Sequence, residues 1–107
     1  MVDEVDAALR EFVTEREWDQ FHSPENLAKS IVIEAAELLE CFQWQPDPPR
    51  ETVAGELADV LTYCRLLAAK LDLDVDQIVL EKLNTTRTKY PVEKARGTSA
   101  KYDQLQD

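Results

Sequence analysis

Two short acidic motifs carry the chemistry this sequence offers: Glu34-x-x-Glu37 and Glu56-x-x-Asp59, with eighteen residues between them. Side chains three apart on a helix share a face, so each motif projects two carboxylates together. Four carboxylates brought into one gap raise one another's pKa unless a counter-charge intervenes. Neither motif has a neighbouring Lys or Arg able to neutralise all four. A divalent cation can, and an all-oxygen ligand set suits magnesium or manganese rather than zinc. The competing explanation is a solvated acidic face, because 22 acidic residues produce E-x-x-E by chance. Position on the helix wheel favours the site. Glu34 falls inside the apolar stripe of Leu27, Ile31, Leu38 and Cys41, where an exposed charge has no place. Glu37 lies at the edge of that stripe, and Glu56, Asp59 and Tyr63 form a line on the following helix. Glu40 points away from Glu34 and is assigned to solvent.

Helices must position these groups. Two glycines, little period-two alternation and repeated apolar residues at helical spacing predict an all-α fold, four-helix-bundle-like. The first helix is expected from Asp3 to Trp18 on Val5, Leu9, Phe12 and Val13, with a break over 19–23. Ser23 offers an N-cap and Pro24 an N1 residue for a second helix running to about Phe42. Prolines 46, 48 and 49 force a turn, and the third helix is expected from Glu51 to Leu71. The short turn makes these two helices antiparallel neighbours, so both acidic pairs can face one gap. Asp74-x-x-Gln77 resembles a capping box opening a fourth helix that ends near Tyr90, before Pro91. Residues 1–91 are read as the domain and 92–107 as a polar tail. The third helix is apolar nearly all round, with Leu57, Val60, Leu61, Cys64, Leu66 and Leu67, which predicts oligomerisation through helices.

Composition narrows the function. A formal net charge of -10 argues against nucleic acid, which needs a basic face toward the phosphates. It leaves nucleotides open if metal ions mask the carboxylates. Cys41 and Cys64 read as reduced core thiols. A charged first twenty residues gives no signal peptide, and no apolar run spans a bilayer. A cytoplasmic protein without membrane contact is expected. Trp18, Phe21, His22, Phe42 and Trp44 gather at the interhelical breaks; Phe21 and Phe42 are assigned to the core.

With these motifs in place, the sequence resembles the all-α nucleoside triphosphate pyrophosphohydrolases of the MazG-like superfamily. Trp18-Asp19-Gln20-Phe21-His22, Asn26-Leu27, Phe42-Gln43-Trp44, Lys82, Arg87-Thr88-Lys89-Tyr90-Pro91 and Lys101-Tyr102 are similar to its dCTP pyrophosphatase branch. The resemblance implies a homodimer or homotetramer that cleaves a nucleoside triphosphate into monophosphate and pyrophosphate. It implies Glu34, Glu37, Glu56 and Asp59 as magnesium ligands, with manganese as a substitute. Trp18, His22 and Trp44 match positions near the base; Tyr63 and Lys82 match positions near sugar and phosphates. Lys82 with Arg87 or Lys89 would hold the outgoing pyrophosphate, and Glu37 is the expected acceptor of the water proton. The pattern departs from the family on the last helix, where Thr86 and Lys89 stand in place of Asn and Arg; lysine keeps the charge but loses the bidentate fork. Competing expectations are a related hydrolase of dUTP or phosphoribosyl-ATP, and a non-catalytic oligomeric nucleotide-sensing or protein-interaction module.

Overall fold

The computed structural model describes residues 3–105. Within them every regular element is helical: α1 Glu4–Glu15, a 3-10 turn Trp18–Phe21, α2 Pro24–Glu40, α3 Arg50–Lys70, α4 Val75–Lys89, α5 Val92–Ala95 and a last 3-10 turn Tyr102–Gln104. Residues 1, 2, 106 and 107, which the expected domain and tail include, lie outside the described residues. The chain divides into two compact units, one ending at Leu73 and one beginning at Asp74.

In the first unit, α2 and α3 pack along each other as a helical hairpin, and α1 lies against α3. The helix starts follow from capping. Asp3 Oδ1 accepts from the Val5 N–H at 2.8 Å, and Ser23 Oγ accepts from the Asn26 N–H at 3.1 Å with Pro24 at the first helical position. Between α1 and the 3-10 turn the chain reverses through Glu17, whose φ of 53° is left-handed and unusual for a residue with a Cβ. This break ends α1 at Glu15, before Trp18, and places Trp18 in the turn instead. α3 closes on a Schellman arrangement: Asp72 takes φ 56°, and the Leu73 N–H donates to the Ala68 carbonyl at 2.8 Å.

Arg65 ties α1 to α3, donating from Nη1 to Asp3 Oδ2 at 3.3 Å and Asp6 Oδ1 at 3.1 Å. The buried apolar side chains among the described residues are Val13, Leu27 and Ala68, of which Leu27 is fully buried. Two core assignments are corrected: Phe21 is 61% exposed, and Phe42 is exposed too. Both sit where helices end, and no packed turn among the described residues covers them. On α3, Leu57 and Leu61 stand exposed while Val60, Cys64 and Leu67 are half-buried. Cys41 and Cys64 are free thiols.

In the second unit, Asp74 Oδ1 accepts from the Gln77 N–H at 2.8 Å, opening α4. The reciprocal half of the capping box does not form, because the Gln77 amide donates forward to Glu81 Oε1 at 2.9 Å. The tail is not extended: α5 follows Pro91, and the Tyr102 N–H donates to Tyr90 Oη at 3.2 Å.

Candidate metal and nucleotide site

The hairpin brings the acidic motifs together. Glu34 on α2 and Glu56 and Asp59 on α3 each offer a carboxylate oxygen, all within 4.8 Å of one another. Glu34 and Glu56 are half-buried; Glu37 and Asp59 are exposed at the mouth. Glu37 lies outside that closest triad but within hydrogen-bonding reach of Glu34 and Glu56 once a proton sits between them.

The electrostatics are those of a site awaiting positive charge. The Glu34 pKa is pushed up to about 7, first because its protonated form hydrogen-bonds Glu37, then by burial and by the charges of Glu37, Asp59 and Glu56. The Glu56 pKa is also raised, mainly by burial and then by Glu37 and Asp59. Glu40, assigned to solvent from the wheel, adds its charge to this list for Glu56. Glu34 Oε2 and Glu56 Oε2 are buried without a hydrogen-bond partner. Buried carboxylate oxygens left unpaired are costly, and a hard divalent cation satisfies them with the ligand type it prefers. The residues present therefore fit such a cation.

A second feature lies along the same face of α3. Asp59, Tyr63, Leu66 and Lys70 follow one another at helical three- and four-residue steps, and Leu66 and Lys70 help line a cavity of about 400 Å³ between α1, the Trp18–Phe21 turn and α3. At 1.5 Å of rise per residue, Leu66 stands roughly 10 Å along α3 from Asp59, comparable to the reach from a nucleotide's phosphates to its base. Leu9, Val13 and Leu27 supply apolar wall; Arg10, Asp19, His22 and Arg65 supply polar edge. Sequence reasoning placed His22 here but missed Arg10, Asp19, Arg65 and Lys70, because nothing in local spacing pairs a residue on one helix with a turn fifty positions away.

The other expected binding residues are spread differently. Trp18 packs edge-on against Phe12, with centroids 5.5 Å apart, beside the cavity rather than among its lining residues. Trp44, in the α2–α3 connection, is 88% exposed and does not line the cavity. Tyr63 is half-buried on α3. Lys82, Arg87 and Lys89 belong to α4 in the second unit. There the Arg87 guanidinium donates to Asn84 Oδ1 at 3.2 Å, and the Lys89 ammonium stands 4.7 Å from the centre of the Tyr102 ring.

An α-helical hairpin with an acidic pair on each arm defines a class of helical domain suited to hold a divalent cation, and comparison with known proteins specifies the family. The sequence profile of the MazG-like family matches residues 29–105, and the chain belongs to that family. It is 45% identical to the mouse and 44% identical to the human dCTP pyrophosphatase 1, in each case over 89% of this chain and 62% of the relative. The chain thus spans 62% of the length of the curated relatives it matches. Among solved structures, a pyrophosphatase from Archaeoglobus fulgidus superposes with a TM-score of 0.75 at 38% identity, covering 79% of this chain and 87% of that one. No helix among the described residues is long and apolar enough to cross a membrane.

Proposed function

We propose that this chain is a magnesium-dependent nucleoside triphosphate pyrophosphohydrolase that clears dCTP or modified pyrimidine deoxynucleotides from the cytoplasmic nucleotide pool. The observation that carries this reading is the pair of buried, unpartnered oxygens on Glu34 and Glu56, clustered with Asp59, which stands roughly 10 Å along α3 from the cavity wall at Leu66. The names borne by the related proteins support the choice of bond and base.

Glu34, Glu56 and Asp59 hold the cation, with Glu37 at the mouth. When bound, magnesium supplies neutralisation of the phosphate charge, and manganese can replace it. Water adds to the α-phosphorus while its P–O bond to the α–β bridging oxygen breaks, and pyrophosphate departs with the bonding pair. Glu37, exposed and adjacent to Glu34, accepts the water proton. His22 reads the base in the cavity; Trp18 and Trp44 offer ring faces for stacking, and Tyr63 supports the sugar. Lys82, Arg87 and Lys89 are cationic donors for the outgoing pyrophosphate.

The assembly is proposed as a homodimer or homotetramer. With Val13, Leu27 and Ala68 as the buried apolar residues among those described, exposed Val32, Ile33 and Leu39 on α2 and Leu61 on α3 offer apolar surface a second copy can cover. The same surface would serve the competing non-catalytic module, which observed turnover would exclude. Monophosphate release from dCTP with magnesium, measured for Glu37→Gln and Asp59→Asn, tests the site: both variants are expected to lose at least a hundredfold in rate. Wild-type rates in both would disprove the assignment.

A further inference from the structure

We propose that Arg65 is a latch, a positioning residue that holds the N-terminal end of α1 on α3 and so keeps the cavity closed on its occupant. The latch stands on geometry, whereas its effect on turnover rests on the hydrolase reading above. Arg65 Nη1 carries two N–H groups and directs both at α1, to Asp3 Oδ2 at 3.3 Å and to Asp6 Oδ1 at 3.1 Å. The Asp3 carboxylate is already oriented, because its Oδ1 caps α1 through the Val5 N–H at 2.8 Å. An acceptor held in place lowers the entropy cost that makes most exposed ion pairs weak.

Little else secures this end of the helix. α1 turns Asp6, Leu9 and Val13 inward at helical steps, and of these Val13 alone, near the far end, is buried. Beyond Val13 the chain runs into Glu17, whose left-handed φ of 53° ends the helix and offers a pivot. The turn past the pivot has its own anchors. The Gln20 side-chain amide donates to the Glu17 carbonyl at 2.8 Å, and Lys70 Nζ donates to Asp19 Oδ1 at 2.8 Å. α1 can therefore swing on Glu17 while the turn and the α2–α3 hairpin keep their places. It supplies Asp6, Leu9, Arg10 and Val13 to the cavity of about 400 Å³, and α3 supplies Arg65 and Leu66. Parting the two helices widens that space, and the Asp6–Arg65 pair spans it from wall to wall.

A merely structural ion pair is the competing explanation, and breaking one lowers stability throughout the unit. Hydrogen exchange separates the two. A 12-residue helix released from its neighbour is marginal in water, so an unlatched α1 frays. In Arg65→Met, which keeps the apolar stem, α1 amides are expected to exchange about tenfold faster, with α2 and α3 within about twofold of wild type. Asp6→Asn, which empties the latch from the other side, should act in the same direction. The exchange Asp6→Arg with Arg65→Asp should restore protection, since Asp3 stays one helical turn from position 6. In turnover of dCTP, Arg65→Met should raise KM about tenfold with kcat within about twofold, as follows if the closed population falls to about a tenth. The charge exchange should bring KM back within about threefold of wild type. Unchanged α1 exchange in Arg65→Met, exchange that rises equally in α1, α2 and α3, or no rescue by the charge exchange overturns the latch. An unchanged KM beside faster α1 exchange overturns its closing role. If wild type turns over no triphosphate, the hydrolase reading fails and hydrogen exchange alone still decides the latch.

Discussion

Replacing Glu34 by Gln should make the metal-free protein more stable and the metal-loaded protein less so. Glutamine keeps the shape of a protonated glutamate and carries no charge, so it relieves the repulsion that pushes the Glu34 pKa up to about 7. Without metal, the folded wild type binds this proton more tightly than the unfolded chain, whose carboxyl titrates near 4.5. Its stability is therefore greatest below that value and falls as pH rises to about 7, with no further loss from this group above. The variant should lack that decline and melt a few degrees higher at neutral pH. Metal reverses the order. At a hundred times its dissociation constant, a cation bound only to the folded state adds about 2.7 kcal/mol. For a unit of this size that is a rise of roughly 10–20 °C in Tm. Losing one charged ligand should weaken affinity at least tenfold, and each tenfold removes about 1.4 kcal/mol, so the rise shrinks to half or less. Thermal melts of both proteins, with chelator and with magnesium, measure all four states. A variant that melts lower without metal and keeps the full metal-induced rise would refute the reasoning.

Other outcomes follow from the same structure. Leu27→Ala removes a side chain only 1% exposed and should cost about 2–5 kcal/mol in denaturant melts, the range for buried leucines. Asp74→Ala deletes the cap on the Gln77 N–H and should cost about 1 kcal/mol, with helix content lost by circular dichroism. Trp18→Ala, which removes a ring packed on Phe12 beside the cavity, should raise KM for dCTP about tenfold, as loss of one stacking partner does, with a smaller change in kcat.

Much of this was legible in the sequence because helices encode their own faces. The starts at Ser23–Pro24 and Asp74 followed from capping chemistry, and the charge of Glu34 inside an apolar stripe marked the pocket before any packing was known. What the period does not encode is the partner across a gap. Arg65 reaches Asp3 and Asp6 over about sixty residues of chain, and Lys70 reaches Asp19; none of these pairs has a local signature. The same blindness put Phe21 and Phe42 in the core, since an aromatic at a helix end is apolar whether or not anything covers it. Glu40 was set aside by its angle to Glu34, yet its charge bears on Glu56 from the facing helix. Lys82 and Lys89 were proposed on resemblance alone; on α4 the Lys89 ammonium stands over the Tyr102 ring.

The account turns on one reaction at one cluster, and phosphorus NMR of dCTP incubated with the protein tests it most directly. With magnesium, dCMP and pyrophosphate should appear in equal amounts, and chelation or Glu56→Gln should stop both. Formation of dCDP and inorganic phosphate, or product formation that persists with chelator, would contradict it.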